Sequence, residues 1–210
     1  MSTRKPYHHG SLYAALIEAA LQVLEAQGLA GLTLRETARV AGVSHAAPKN
    51  HFGDLTGLLS EVAAVGFRRF SAALTEAGAA ADTPRARLDA LGRAYVGFAK
   101  AQPGLFLLMF RSEQLDLARP ALREAYLEAR NVLGGGVAAR MGIEAGAVPT
   151  PAQSAAMVGA WSLVHGFAML LIDHRLDPIV RQQADGRWES LLDAVFGTFP
   201  PRGGPPPAAG

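Results

Sequence analysis

The chain contains no cysteine and few charged residues, which make up 18% of its 210 residues. Without cysteine, disulfide bonds, thiolate catalysis and cysteine-ligated zinc are excluded. Lysine and arginine exceed aspartate and glutamate only slightly, so the net charge is +2. A charge this small does not by itself indicate a nucleic-acid partner. The lack of disulfides is compatible with the cytoplasm, which is the location that we expect.

Two kinds of sequence pattern are missing as well. No apolar run follows the basic residues Arg4 and Lys5, so the N-terminus does not resemble a secretory signal peptide. No segment alternates apolar and polar residues with the period of two that a half-buried strand requires. Because 50% of the residues are hydrophobic, the chain can still bury a sizeable core. These features predict an all-α protein.

Motifs of the common catalytic sites are absent too. The sequence has no nucleophile elbow, no phosphate-binding glycine loop and no His-Glu-x-x-His motif. His8 and His9 are adjacent but have no further partners at metal-ligand spacing. We therefore expect no enzyme activity, no metal site and no resident cofactor.

Residues 154–172 form a nearly uncharged run that is about long enough to span a bilayer. A helix that is apolar on all sides is buried either in a membrane or in protein. The run contains Ser154, Ser162 and His165, and it stands alone in a short chain. We therefore predict a buried helix of a soluble protein, with the core on one side and a dimer interface on the other, and no membrane partner.

Residues 32–52 carry the most informative pattern, which predicts two short helices around a tight turn. Thr33 is a good N-cap, and Glu36 completes the sequence signature of a capping box. Gly42 can adopt the backbone angles of a sharp reversal, and Ser44 is expected to cap the second helix. Such a helix-turn-helix fits its second helix into the DNA major groove. The same arrangement also occurs in helical cores that do not contact DNA, so the pattern alone leaves both possibilities open.

The segment before this motif supplies a third helix for such a head. Residues 11–27 place apolar side chains on one continuous stripe, and Gly28 is expected to end the helix. Arg4 and Lys5 precede it on an arm that could contact phosphate or the minor groove. The alternative is a solvated basic terminus.

The remainder of the chain predicts a helical body. Asp54 is expected to cap a long helix over residues 55–79. Gly134–Gly136 is expected to break or kink a later helix. A tail rich in proline and glycine, 200–210, is expected to be disordered. The further predicted helices span residues 84–101, 103–110, 120–141, 151–174 and 187–199.

Several motifs in the first sixty residues resemble, in the same order, the head of tetracycline-repressor-like (TetR family) regulators. They are Tyr7–Gly10, the helix ending at Gly28, Thr33–Ala38, Ala41–Ser44 and His51–Phe52. Trp161–Gly166 resembles the Trp…His-Gly signature of one C-terminal subgroup of that family. The chain is thus expected to comprise a DNA-binding head with its N-terminal arm (1–54), a ligand-binding and dimerisation domain (55–199) and the tail (200–210).

The resemblance implies a ligand-responsive transcriptional regulator, and we expect a repressor. The last two long predicted helices, 151–174 and 187–199, carry more apolar surface than one chain can cover. This favours a homodimer in which two such helices from each chain form a four-helix bundle. Such a dimer would bind a near-palindromic double-stranded operator with half-sites about 34 Å apart. The residues expected to contact DNA are Arg4, Lys5, Thr33, Arg35, Ser44, His45, Ala46, Lys49, Asn50 and His51.

Two positions depart from the family pattern. Lys49 stands where most members have an aromatic residue, and Leu55 stands where most have a lysine shortly after the His-Phe pair. Both family residues usually contact phosphate, and leucine cannot do so, which predicts weaker binding and a shallower salt dependence. The departures support one alternative, a helical small-molecule-binding protein or enzyme whose head no longer binds DNA. A pure interaction module that uses the dimer helices is a further alternative.

A small-molecule effector is expected to bind in the helical body, although its identity does not follow from the sequence. Aromatic and methionine side chains with a few polar groups are typical of a ligand pocket. The same side chains at helical spacing are more often part of an ordinary core, so the expectation of a pocket rests on the effector-binding C-terminal domain that the resemblance implies. The candidates for the pocket are Tyr95, Phe98, Phe106, Met109, Phe110, Trp161 and His165.

Overall fold

The computed structural model describes residues 9–144 and 146–198. In that part of the chain the backbone forms ten α-helices and one short 3-10 helix, with no β-strand, which confirms the all-α prediction. The helices are α1 (His9–Gly31), α2 (Leu34–Val40), α3 (Ala46–Phe52), α4 (Leu55–Ala79), α5 (Pro84–Ala101), α6 (Pro103–Met109), α7 (Pro120–Met141), α8 (Pro151–Ile172), α9 (Asp177–Arg181) and α10 (Trp188–Thr198), and the 3-10 helix is Ser112–Gln114.

Side-chain caps start the long helices where the sequence predicts them. The Asp54 carboxylate accepts a hydrogen bond of 2.8 Å from the Gly57 amide, which satisfies a free N–H in the first turn of α4. Thr83 accepts in the same way from the amide of Ala86 at the start of α5. At α8, Thr150 and Gln153 form a complete capping box that the sequence analysis missed.

Two glycines interrupt the head at the predicted places. Gly28 has φ +67° and kinks α1, although helical backbone then resumes as far as Gly31, so the predicted helix end is a kink. Gly42, also at φ +67°, follows α2. Its amide donates to the Arg39 carbonyl, and the Val43 amide donates to the Ala38 carbonyl. This pair of bonds is a Schellman motif, which reverses the chain between α2 and α3.

The chain forms two compact units. Of the described residues, unit 1 comprises 9–71 and 101–129, and unit 2 comprises 72–100, 130–144 and 146–198. The expected domain boundary between residues 54 and 55 is not where these units divide, since unit 1 also takes in most of α4, all of α6 and the start of α7. As a functional boundary it stays a prediction.

Unit 1 is built around α1, which packs against α2 and α6, while α2 packs against α3. Leu16 of α1, Ala38 of α2, Phe52 of α3 and Leu58 of α4 are fully buried or nearly so. The core of this unit therefore draws side chains from every helix of the head and continues into α4.

Unit 2 contains close helix–helix contacts that depend on glycine. Gly134–Gly136 lies within the continuous helix α7, so the predicted break is wrong. At Gly136 the backbone lies so close to the buried side chain of Leu91 on α5 that a Cβ atom would collide with it. Packing against α5 thus explains a glycine that helix propensity alone disfavours.

Helix α5 also contacts α10, because Arg93 of α5 forms an ion pair of 2.7 Å with Asp193 of α10.

Helix α8 is long and apolar enough to cross a membrane by length and composition, and it is the one such helix in the described part of the chain. Within the single chain, one side of α8 packs into the core as predicted, and the other side is open where a dimer interface was expected. That interface stays a prediction. One side of α8 is buried through Val164, Phe167, Ala168 and Leu171. The other side leaves Val158 (58%), Trp161 (49%) and Leu170 (43%) exposed. In the described chain nothing lies within 4 Å of a Cβ built at Gly159 or Gly166.

Candidate functional site

The short helix α3 separates its buried and exposed residues cleanly. Ala47, Pro48 and Phe52 are buried in unit 1. Ala46, Lys49 and Asn50 are exposed and lie at i, i+3 and i+4, which places them on one side of the helix. His45, the residue before the helix, is exposed as well. The structure therefore brings four of the predicted DNA-contacting residues together on one solvent-facing surface.

The predicted cap of α3 is not where the sequence placed it. The helix begins at Ala46, its N-cap residue is His45, and no side-chain capping bond is made there. Ser44 instead closes the preceding turn, since its carbonyl accepts from the Ala47 amide at 3.0 Å. Pro48 occupies the third helical position and has no N–H, so the usual target of a capping side chain is missing. Ser44 remains exposed at the N-terminal end of α3.

The capping box of α2 is only half formed. The Thr33 hydroxyl accepts from the Glu36 amide at 3.1 Å, as predicted. The Glu36 carboxylate binds Arg39 and Gln27 rather than the Thr33 amide. Hydrogen bonds from Arg39 and then Gln27 lower the pKa of Glu36 to about 2. Thr33 and Arg35 are exposed at the start of α2.

His51 is half-buried at the C-terminal part of α3. Its ring lies 6.4 Å from the ring of Tyr13 on α1 and 6.2 Å from that of Phe52. Tyr13 also packs against Phe52 at 5.4 Å and donates a hydrogen bond of 2.6 Å to the Glu61 carboxylate on α4. Burial, followed by the hydrogen bond to Glu61, raises the pKa of Tyr13.

Arg119, just before α7, is a residue of this region that the sequence analysis missed. Its guanidinium donates a hydrogen bond of 2.9 Å to the main-chain carbonyl of Phe52, the last residue of α3. It also donates at 3.4 Å to the Glu61 carboxylate and lies 3.7 Å from that of Asp116. No local sequence signal could reveal these contacts, because the Phe52 bond joins residues 67 positions apart.

Unit 2 contains a polar cluster of three predicted effector-site residues. The Tyr95 hydroxyl on α5 lies 2.8 Å from Nδ1 of His165 and 3.2 Å from Nε1 of Trp161, both on α8. The ring of Trp161 lies 6.0 Å from that of His165. Tyr95 is fully buried, whereas the side chain of Trp161 is half-exposed in the single chain. The cluster therefore extends from the interior of unit 2 to its surface.

Burial sets the ionisation of this cluster. Desolvation raises the pKa of the Tyr95 hydroxyl. Desolvation also lowers the pKa of His165. Both residues are therefore neutral near neutral pH, and the cluster presents hydroxyl, imidazole and indole groups rather than a charge.

The other predicted effector-site residues divide between the units. Phe98 is buried in unit 2 with Tyr95. Phe106, Met109 and Phe110 belong to unit 1, where the rings of Phe106 and Phe110 are 4.9 Å apart and Phe110 packs against Phe67. The pocket expected from all seven residues stays a prediction.

Two predicted DNA-contacting residues, Arg4 and Lys5, lie outside the described residues, as do the side chains of His8 and His9 and the tail from residue 199. Among the residues that are described, no group of three or more histidine or acidic side chains is arranged to hold a metal ion.

The C-terminal part of the chain matches a family model. Residues 88–195 match the model described as "Tetracyclin repressor-like, C-terminal domain". The chain is also 42% identical over 79 residues to the HTH-type transcriptional regulator BetI of Burkholderia mallei (strain NCTC 10229). That match covers 37% of this chain and spans about 40% of the length of the curated relative.

Solved structures share the fold over nearly the whole chain. A protein with unknown function from Rhodococcus sp. RHA1 is 36% identical, with a TM-score of 0.74 and coverage of 93% of this chain and 96% of that chain. The TetR family transcriptional regulator PfmR from Thermus thermophilus is 20% identical, with a TM-score of 0.58 and coverage of 94% and 95%. At this lower identity the likeness to PfmR concerns the fold alone.

Proposed function

The chain belongs to the tetracycline-repressor-like (TetR) family of transcriptional regulators, and we propose that it is a ligand-responsive repressor that binds an operator as a homodimer. The observation that carries this proposal is the exposed side of α3. A helix that buries three residues in its own unit while presenting Ala46, Lys49 and Asn50 together to solvent is suited to insertion into a major groove.

Each exposed side chain of α3 fits a particular DNA group. Asn50 can pair with adenine through two hydrogen bonds, and Lys49 can donate to guanine or to a phosphate. Ala46 is small enough to contact a thymine methyl group. His45 and His51 flank these residues, and His51 is proposed to contact the phosphate backbone.

Contacts to the DNA backbone would come from the helix starts and the N-terminal arm. The first-turn amides of a helix favour anions, and Thr33, Arg35 and Ser44 are exposed at the starts of α2 and α3. Arg4 and Lys5 are proposed to contribute from the arm. These contacts fix the position of the head on the duplex and carry no sequence information directly.

Effector control is proposed to act through the polar cluster of Tyr95, Trp161 and His165. Its neutral hydroxyl, imidazole and indole groups are the few polar handles that an organic ligand needs in a mostly apolar pocket. The ligand must bind the DNA-incompetent state more tightly, because otherwise it cannot shift the equilibrium. Displacement of α4, which begins directly after the head, would change the separation of the two heads in the dimer.

Fluorescence anisotropy tests the DNA-binding proposal. Wild-type protein is titrated onto DNA from its own upstream region and onto scrambled DNA of equal length, at several salt concentrations near 0.1 M. We expect preference for the native fragment, with affinity that falls as salt rises. If the upstream DNA shows no preference, selection from random sequences identifies an operator elsewhere, and failure of that selection contradicts the proposal.

Single substitutions locate the interface. Asn50→Ala is expected to weaken operator binding by about 1–3 kcal/mol while leaving binding to scrambled DNA nearly unchanged. Arg130→Ala removes a positive charge from an exposed position of unit 2 and serves as the control. Equal losses for Asn50→Ala and Arg130→Ala would contradict the placement of α3 in the groove.

A further inference from the structure

We propose that Arg119 is a positioning residue for α3, whose C-terminal end it holds in the orientation that sequence-specific DNA binding requires. This inference rests on the proposed function, because it assigns to Arg119 a part in the same DNA-binding site. Arg119 does not belong to the helix-turn-helix, and it lies 67 positions from Phe52, the residue that it binds.

Four residues from four parts of unit 1 form a closed ring of contacts. The Arg119 guanidinium binds the Phe52 carbonyl at 2.9 Å and the Glu61 carboxylate at 3.4 Å. Glu61 accepts from the Tyr13 hydroxyl at 2.6 Å, and the Tyr13 ring packs on the Phe52 ring at 5.4 Å. The end of α3 is thus fixed on both sides, through the Phe52 side chain by α1 and through its main chain by Arg119.

The position and burial of Arg119 strengthen these contacts. A guanidinium at the C-terminal end of a helix meets carbonyl groups that have no partner within the helix. The side chains of Arg119 and Glu61 are only 31% and 15% exposed, so solvent screens their interaction less than that of a surface pair. The bond to the Phe52 carbonyl is charge-assisted, which makes it stronger than a neutral hydrogen bond.

Gly57 shows how closely these groups approach one another. A Cβ atom at this position in the first turn of α4 would collide with the Phe52 carbonyl oxygen and with the Arg119 guanidinium. The lack of a side chain at Gly57 therefore makes room for the bond between Arg119 and Phe52.

A positioning role differs measurably from a direct contact with DNA. If Arg119 contacted a phosphate, its loss would lower the slope of log K against log salt by about 0.9 for each head of the dimer. If Arg119 instead holds α3, its loss lowers the preference for the operator while the number of phosphate contacts, and hence the slope, stays the same.

The first experiment compares Arg119→Gln, Arg119→Lys and Arg123→Gln in the full chain by anisotropy on operator and scrambled DNA. Arg123 is exposed on α7 and is the matched control for lost charge. We expect Arg119→Gln to lower the ratio of operator to scrambled affinity about tenfold. We expect Arg119→Lys, which can still donate to the Phe52 carbonyl, to restore part of the loss. An unchanged ratio in a folded Arg119→Gln variant would overturn the inference.

The second experiment needs no DNA. Hydrogen exchange of the free protein, followed in peptides covering residues 46–57, is expected to be at least about threefold faster in Arg119→Gln than in wild type. Arg123→Gln should leave that exchange unchanged. Equal exchange in wild type and Arg119→Gln would overturn the inference even if no operator were found. The wild-type protein could instead show no preference for any DNA sequence while hydrogen exchange in residues 46–57 still depends on Arg119. That result would contradict the proposed function rather than the role of Arg119.

Discussion

The hydroxyl of Tyr95 on α5 lies 2.8 Å from Nδ1 of His165 on α8 and 3.2 Å from the indole nitrogen of Trp161 one turn earlier on that helix. Trp161 can only donate, so the hydroxyl oxygen accepts from it. The hydroxyl proton is then available for Nδ1, which favours the neutral His165 tautomer that carries its proton on Nε2. One buried hydroxyl thus orients two side chains of the proposed effector site.

Removal of this hydroxyl tests its contribution to the fold. Tyr95→Phe loses both hydrogen bonds within a fully buried site, and we expect the free energy of unfolding to fall by about 1–3 kcal/mol. Urea denaturation monitored by tryptophan fluorescence measures the change. Tyr126→Phe alters a half-exposed tyrosine on α7 in the same way and is expected to cost less than about 0.5 kcal/mol. Equal effects of the two substitutions would argue against the cluster.

The lowered pKa of His165 predicts a pH-dependent stability. The native state binds this proton less readily than the unfolded chain, whose histidine has the ordinary pKa of 6.5. The contribution of neutral His165 is therefore fully present above pH 6.5 and is lost as the pH falls through the lower native pKa. Urea unfolding between pH 7.5 and pH 5 should show a shallower loss of stability for His165→Gln than for wild type. Identical slopes would contradict this assignment.

The packing of α7 against α5 predicts opposite effects at two adjacent glycines. Gly136→Ala introduces a Cβ that collides with buried Leu91, so we expect a loss of about 1–3 kcal/mol despite the better helix propensity of alanine. At Gly135, which is exposed, a Cβ would meet nothing within 4 Å in the described chain. Gly135→Ala should therefore gain up to about 1 kcal/mol. Thermal unfolding of both variants measures these changes in stability. A Gly136→Ala variant that is more stable than wild type would contradict the prediction.

Helix starts were predictable because their signals are local. Asp54 and Thr83 each accept a hydrogen bond from an amide three residues later, and Pro84 is the first residue of α5. Both α4 and α5 therefore begin where predicted. The cap at Ser44 was wrong because α3 begins one residue later than that cap requires, at Ala46, with His45 as its N-cap residue. The five-residue helix α9 was missed, since so short a segment shows no periodicity.

Contacts between distant residues could not be predicted in this way. The glycines at 134–136 predict a break by propensity alone, yet the helix continues because Gly136 allows α7 to approach Leu91. Likewise, nothing near Arg119 in the sequence indicates that it binds the end of α3. Ala46, Lys49 and Asn50 share an exposed side of α3 because one turn of helix relates them, and their contact with DNA stays a prediction.

The exposed apolar side of α8 predicts the effect of a charge on dimerisation. Val158→Asp places a carboxylate on the proposed interface, and we expect the dimer to dissociate at least about tenfold more readily than wild type. Val148→Asp makes the same change at a residue that is 90% exposed between α7 and α8, and it should leave the dimer intact. Sedimentation velocity over a concentration series distinguishes these outcomes. A monomeric wild-type protein at micromolar concentration would refute the proposed dimer.

The exposed leucine at the start of α4 predicts a gain of DNA affinity. Leu55→Lys restores a basic residue near the position where the TetR family usually has one, so we expect tighter binding and a salt slope steeper by about 0.9 for each head. Val148→Lys adds the same charge in unit 2 and should not change the slope. Salt titrations of the operator complex measure both. A slope unaffected by Leu55→Lys would show that this position does not reach phosphate.

The dependence of α3 on Arg119 also sets the smallest piece of this protein that can be transplanted. A chimera that joins residues 1–54 to the body of another regulator would leave the Phe52 carbonyl without the guanidinium that binds it. The same cut would separate Tyr13 from Glu61, its hydrogen-bond acceptor on α4. An exchange of operator specificity between relatives should therefore transfer residues 1–71 together with 101–129, or alter only the exposed residues of α3 and leave their support in place.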